Sequence, residues 1–117
     1  MKYENIFKEI EAEIERSEQK HGNQDHVLSV EPALIQRGAN RMLDEYELPT
    51  EARAKYLCDT AMKKGEHTHA HIVVEELCEA IACMSDEDAM RKELIQLACV
   101  VTKWIKSIDY RNNLNKK

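Results

Sequence analysis

Hydrophobic positions recur every three or four residues along most of the chain, which is the pattern of amphipathic helices. The chain has only 3 glycines and 2 prolines, so few residues interrupt this pattern. In the first segment the apolar positions share one helical face: Ile6, Phe7, Ile10 and Ile14. Helices are predicted at residues 3–20, 32–46, 50–65, 68–84 and 85–110, before a polar tail at 111–117 that we expect to fray. The predicted fold class is all-α, a bundle of four or five helices.

Capping residues mark where these helices begin and end. Gly22 suits the C-terminal cap of the first helix, because glycine adopts left-handed conformations without strain. Thr50 and Thr68 suit N-terminal caps, since their hydroxyls can accept backbone N–H groups. Ser85 is the predicted cap of the last helix, with Asp88 three residues on as a capping-box acid. The short turn at Ser85 predicts near-antiparallel packing of the last two helices.

The length and the charge of the chain limit the classes of protein to which it can belong. At 117 residues, the chain is expected to be a single domain spanning 1–117. Its net charge is -5 and its basic residues are scattered, which argues against nucleic acid as a partner. The longest apolar run, Leu94–Ile105, is too short to span a bilayer, so no membrane partner is expected. The N-terminus leads into a charged helix rather than a signal peptide, which favours a cytoplasmic location.

The four cysteines lie in apolar, helix-like contexts and form no Cys-x-x-Cys pair: Cys58, Cys78, Cys83 and Cys99. This pattern favours small buried hydrophobic residues in a reducing compartment over a zinc site or a disulfide framework. It agrees with a cytoplasmic protein.

The run Leu94–Ile105 is apolar on almost every side. A peripheral helix of a short chain cannot bury so much apolar surface alone. We therefore expect the bundle to be completed by oligomerisation, as a homodimer or a homotetramer.

Acidic residues stand out on the last two helices. Glu75, Glu76 and Glu79 follow one another on one side of a predicted helix, which alone would be an ordinary solvated face. Glu93 differs, because it begins the most apolar stripe of the next helix, which continues through Leu97, Val100 and Trp104. An ionised carboxylate in such a stripe is costly unless it is paired or bound to a metal.

Two i, i+3 pairs on facing helices would make an oxygen-rich cage. Glu76 and Glu79 form one pair, and Glu93 and Gln96 form the other. Oxygen ligands of this kind suit Mg²⁺ or Mn²⁺ rather than zinc. An alternative is that Glu93 pairs with a cation, either Arg111 on the same stripe or a residue of another helix.

At these residues the sequence resembles the all-α NTP pyrophosphatase superfamily, the MazG-like enzymes, whose signature is E-E-x-x-E followed after a spacer by E-x-x-D. Here the motif is Glu75-Glu76-Leu77-Cys78-Glu79, thirteen residues, and Glu93-Leu94-Ile95-Gln96, with glutamine at the final acid. The segments Lys20–Gln24 and Thr68–Ile72 resemble short MazG-like proteins of phages and actinobacteria. The likeness covers most of the chain in outline, except residues 27–46.

The resemblance implies a Mg²⁺-dependent hydrolase that converts a nucleoside triphosphate to a monophosphate and pyrophosphate. It implies that metal is held by Glu76, Glu79 and Glu93, with Gln96 as a weaker fourth ligand, and that Glu75 places or deprotonates the attacking water. Contacts to the substrate are expected from five further residues: Lys20, His21, Gln24, Lys103 and Arg111. His69 and His71 would support the site or simply lie near a helix start.

The preferred nucleotide is open at this point. MazZ-like phage enzymes act on dGTP, which makes dGTP one candidate, and dUTP or a broad house-cleaning specificity is another. Two further hypotheses lie outside catalysis. Gln96 favours a non-catalytic helical interaction module that keeps the fold, and the acids alone would also suit a metal-buffering or regulatory helical protein.

Overall fold

The computed structural model describes residues 2–115, and side chains as far as Asn113. The described residues form helices and no strand, which confirms the predicted all-α class. The last two residues of the predicted polar tail lie outside the described residues. In chain order the elements are α1 (Glu4–His21), a 3₁₀ helix (Pro32–Arg37), α2 (Ala39–Glu45), α3 (Glu51–Lys63), α4 (His69–Ala82) and α5 (Glu87–Asn115).

The helices belong to two compact units. The first unit contains the chain up to Leu28 and from Thr102 onward, so it holds α1 and the second part of α5. The second unit is Ser29–Val101 and holds the other helices with the first part of α5. That the whole chain, 1–117, acts as a single domain stays a prediction.

In the second unit, α3 and α4 pack closely as a helical hairpin. The face of α3 that meets its neighbours carries small residues, Ala54, Cys58 and Ala61, which are all buried. Small side chains let two helix backbones approach closely. Ala54 shares a core cluster with Cys78 of α4 and with Leu43 of α2, both of which are 0% exposed. This packing fixes which side chains of α3 lie beside which side chains of α4.

The predicted helix over residues 32–46 is interrupted in the structure. A 3₁₀ helix begins at Pro32 and ends at Arg37, and α2 begins at Ala39. Gly38 joins them with φ +93°, a conformation that breaks a helix and that L side chains rarely adopt. Met42 and Leu43 of α2 are nevertheless fully buried, so the short helix is held by packing rather than by its length.

Most of the predicted caps are present. Gly22 follows α1 with φ +73°. Thr50 Oγ1 accepts the N–H of Arg53 at 3.1 Å, and Thr68 Oγ1 accepts the N–H of His71 at 3.3 Å. The Ser85 prediction is wrong, because Asp86 Oδ1 accepts the N–H of Ala89 at 3.1 Å and α5 begins only at Glu87.

α5 also runs further than the sequence indicated. We predicted an end near Tyr110 and a frayed tail, whereas the helix continues to Asn115. The segment has no glycine or proline to end a helix there, so its polar composition alone does not stop helical hydrogen bonding.

In the first unit, α1 and the second part of α5 lie side by side, and both line one open cleft. Of the four apolar residues predicted to share a face of α1, only Ile6 is buried. The other three remain exposed by 46%, 37% and 51%: Phe7, Ile10 and Ile14.

The cysteines are all free thiols, but their burial differs. Cys58 and Cys78 are buried as predicted, and Cys83 is half-buried. Cys99 is exposed, because it lies on a side of α5 that no other described part of the chain covers. Among the described residues, no helix is long and apolar enough to cross a membrane.

The start of α5 gives a direct stability test. We expect Asp86→Ala to lower the free energy of unfolding by about 1 kcal/mol, because the Ala89 N–H loses its cap. Ser85→Ala is the matched control and should change it by only a few tenths of a kcal/mol. Urea unfolding measures the free energy of unfolding of both variants. A larger decrease for Ser85→Ala would show that Ser85 caps the helix, as predicted from the sequence.

Candidate metal centre

Three carboxylates converge in the second unit. Glu76 and Glu79 come from α4, and Glu93 comes from α5. One oxygen of each side chain can be chosen so that all three lie within 4.8 Å of one another. These are the three acids that the sequence motif predicted as metal ligands, so the structure brings them together.

The spacing of the helices explains why the acids fit there. The i, i+3 spacing of Glu76 and Glu79 puts both on one face of α4. They precede the turn between α4 and α5, and Glu93 follows it, as expected for near-antiparallel neighbours. The backbones of α4 and α5 approach closely at few points, unlike those of α3 and α4. The three glutamate side chains are long enough to meet between the two helices.

The cluster is partly removed from solvent. All three residues are half-buried. Oε2 of Glu76 and Oε2 of Glu93 are buried and have no hydrogen-bond partner among the described residues. An unpartnered buried carboxylate oxygen costs free energy, and a bound cation would remove that cost. The alternative in which a cation of the chain neutralises Glu93 finds no support in this oxygen's surroundings.

The pKa values of the acids reflect the same crowding. Burial, the charge of Glu76 and a hydrogen bond with Glu93 together raise the pKa of Glu79 to about 7. Burial also raises the pKa of Glu76, with added contributions from the charges of Glu93 and Glu75. Without a cation, the site therefore retains protons that exposed carboxylates would have lost.

Glu75 lies apart from these three acids and faces α3. It is half-buried and is not part of the convergent set. Burial and the neighbouring Glu75 carboxylate together raise the pKa of the Cys58 thiol to about 11. Glu75 is therefore close to Cys58 of α3.

Two other predicted residues receive a clear position. Gln96 is exposed on α5, one turn after Glu93. Its role as a fourth ligand stays a prediction. His71 Nδ1 accepts the backbone N–H of Thr68 at 3.1 Å and lies 2.8 Å from the Thr68 hydroxyl oxygen. It therefore completes the cap of α4, as a residue near a helix start often does.

The predicted substrate-binding residues all belong to the first unit and are exposed: Lys20, His21, Gln24, Lys103 and Arg111. Gln24 lines an open cleft together with Glu13, Glu18 and Asp25, an acidic lining that would repel phosphate groups. The Arg111 guanidinium donates a hydrogen bond of 2.8 Å to the Ser107 hydroxyl. Their contacts with a nucleotide stay predictions.

Sequence reasoning missed the contribution of α3. Lys55 of α3 is close enough to feel the charges of Glu75 and Glu79, and Cys58 feels that of Glu75. In the sequence, Lys55 and Asp59 read as an ordinary i, i+4 surface pair. The available signal was the row of small residues on α3, which indicates a close neighbour but does not say which helix it is.

Comparisons with known proteins add no relative. No family model, no curated protein and no solved structure matches this chain.

The raised pKa values predict how stability depends on pH in the absence of divalent cations. Glu79 keeps its proton in the folded chain up to about pH 7, whereas in the unfolded chain it loses it near 4.5. The folded state thus binds more protons in this window, so the free energy of unfolding should fall as pH rises through it. Urea unfolding in EDTA between about pH 5 and pH 8 measures the slope.

Glu79→Gln should flatten that slope, because it removes the titrating group. Glu66→Gln, at an exposed position outside the cluster, is the control and should leave the slope as in the wild type. Equal slopes in wild type and Glu79→Gln would contradict the assignment.

Proposed function

We propose that this protein is a MazG-like nucleoside triphosphate pyrophosphohydrolase that depends on a divalent cation. The observation that carries the proposal is the convergence of Glu76, Glu79 and Glu93 with two buried, unpartnered oxygens. A protein tolerates such a cluster when something gained at that place outweighs its cost in stability. The sequence motif supplies the reaction class, and the cluster supports it by joining the acids of the motif.

The three carboxylates fit a hard cation. Glu76, Glu79 and Glu93 would hold Mg²⁺, or Mn²⁺, because both prefer oxygen ligands. Gln96 would add a neutral oxygen. A bound divalent cation supplies charge neutralisation for the phosphates and lowers the pKa of a bound water.

The reaction breaks one phosphoric anhydride bond. Water attacks the α-phosphorus of the triphosphate, a bond forms between the water oxygen and that phosphorus, and the bond to the bridging oxygen of the β-phosphate breaks. Glu75 accepts the proton of the attacking water. The products are a nucleoside monophosphate and pyrophosphate. Substrate contacts from five residues complete the proposal: Lys20, His21, Gln24, Lys103 and Arg111.

The proposed substrate is a ribo- or deoxyribonucleoside triphosphate, with dGTP the first candidate through the likeness to phage-type enzymes. dUTP, or a broad range of nucleotides, is the alternative. A cytoplasmic location would agree with the free cysteines, since thiols persist in reducing compartments.

We also propose that the protein assembles as a homodimer or homotetramer. In the second unit, α5 exposes Leu94 by 47%, Ile95 by 58% and Val101 by 38%. An apolar helix face of this kind is typical of an interface between subunits. Light scattering at micromolar concentration measures the mass of the assembly directly.

A second candidate is a non-catalytic helical interaction module. The exposed apolar side of α5 favours it, because such a face would also suit a different protein partner. Hydrolysis of nucleotides separates the two candidates.

The products of hydrolysis test the reaction class. We expect a monophosphate and pyrophosphate as the primary products from a panel of nucleoside triphosphates with Mg²⁺ or Mn²⁺, and no turnover in EDTA. Chromatography of the products provides the measurement. Orthophosphate and a diphosphate as primary products would point to a different bond and contradict the proposal.

Glu93→Gln tests the role of the cluster. The variant keeps the shape of the side chain and removes one negative charge from a crowded site. We expect its cation-free form to melt at or above the wild-type temperature, its Mg²⁺-induced shift to be largely lost, and turnover to fall at least about a hundredfold.

If Glu93 is instead paired with a cation of the chain, Glu93→Gln should lower the stability rather than keep or raise it. If Glu93 neutralised a buried cation of the chain, Glu93→Gln would leave that cation unpaired and cost roughly 3–5 kcal/mol in any buffer. Thermal melts with EDTA and with Mg²⁺ distinguish the two. A destabilised variant with normal turnover would overturn the assignment of Glu93.

A further inference from the structure

Lys55 lies on the side of α3 that borders the acidic face of α4. The two helices are joined by a short turn and pack closely, so they run antiparallel. Ala54 shares a core cluster with Cys78, which places the next residue, Lys55, level with the α4 segment between Glu75 and Glu79. The small residues along this interface fix that register.

The Lys55 ammonium has one close partner and two more distant acids. Its Nζ lies 3.3 Å from Asp59 Oδ2, one turn along the same helix. The hydrogen bond and charge of Asp59 raise the pKa of Lys55 most, and the charges of Glu75 and Glu79 raise it further. The ammonium is therefore held at the edge of the carboxylate cluster by its own helix.

Lys55 does not neutralise the cluster itself. Oε2 of Glu76 and Oε2 of Glu93 have no hydrogen-bond partner among the described residues. The ammonium is also well exposed, with 65% of its side chain accessible, so it can exchange its partner at little cost. A cation at the edge of an acidic site is poorly placed to assist metal binding, because it repels a second cation. It is well placed to attract an anion that arrives with the metal.

We infer that Lys55 is an anion-binding residue of this site, which exchanges Asp59 for a non-bridging oxygen of a polyphosphate held by the cation at Glu76, Glu79 and Glu93. This inference rests on the proposed function and extends the site to α3. The ligand chemistry is a phosphoric anhydride with at least two phosphates, since one phosphate must meet the cation while another meets Lys55.

The inference predicts that removing the charge of Lys55 changes the affinities for a divalent cation and for a polyphosphate in opposite directions. Lys55→Gln removes a repulsion toward a free divalent cation and an attraction toward a polyphosphate. A loss of structure would weaken both kinds of binding together, and an ordinary surface ion pair would affect neither. Lys8 offers a control, because it also forms an exposed ion pair one turn away on its own helix, with Glu4 at 3.4 Å, and has 69% of its side chain exposed.

Calorimetric titration of the full chain measures its affinity for each of the two ligands. Mn²⁺ alone should bind Lys55→Gln as tightly as wild type or up to about fivefold more tightly. Inorganic pyrophosphate, titrated with saturating Mn²⁺, should bind Lys55→Gln about tenfold or more weakly, the scale of one charge-assisted hydrogen bond. Lys55→Arg should retain most of that affinity, and Lys8→Gln should match wild type for both ligands.

Three results would overturn the inference, and they are distinguishable from one another. Unchanged pyrophosphate affinity in Lys55→Gln, with normal Mn²⁺ binding, removes Lys55 from the site and leaves the proposed function intact. Parallel loss of Mn²⁺ and pyrophosphate binding, with a lowered melting temperature, assigns Lys55 a structural role. A wild type that binds no Mn²⁺ refutes the proposed function and the inference with it.

Discussion

The crowding of three carboxylates between α4 and α5 is the constraint on which the rest of the site depends. Glu76, Glu79 and Glu93 bring like charges within 4.8 Å, and two of their oxygens are buried without a partner. Such an arrangement opposes folding, and the raised pKa of Glu79 is a direct expression of that cost. A divalent cation reverses the sign of the effect, because each negative charge then becomes a ligand. The same residues thus weaken the cation-free protein and would define the place where a divalent cation binds.

The surrounding fold keeps the cluster in place at modest cost. α4 is anchored on its other side by close packing with α3, where small residues and the fully buried Cys78 form the contact. Thr68 and His71 fix the start of α4, and Asp86 fixes the start of α5. Because α4 packs against α3 on one side, its acidic face is left on the other side, where it meets Glu93 of α5. Two neighbouring carboxylates can then have different surroundings: Glu79 lies in the cluster, and Glu75 faces Cys58.

The sequence predicted the features that depend on local pattern. The helical class followed from the spacing of apolar residues, and the caps at Thr50 and Thr68 followed from their side-chain chemistry. The meeting of Glu76 and Glu79 with Glu93 followed from the spacing of the acids and from the position of Glu93 in an apolar stripe. It did not predict the break at Gly38, because a single glycine can also continue a helix at modest cost. It did not predict the cap at Asp86, because Ser85 and Asp86 are both good capping residues. The place of Lys55 beside α4 could not be predicted either, since it depends on the register between two helices.

Direct observation of the cation would test the site most simply. Anomalous diffraction from crystals grown with saturating Mn²⁺ should show a peak within coordination distance of oxygens of Glu76, Glu79 and Glu93. The variant with all three residues changed to glutamine, crystallised in the same way, should show none there. Manganese bound elsewhere, with these three carboxylates still without a ligand in the wild type, would contradict the assignment of the cluster as the metal centre.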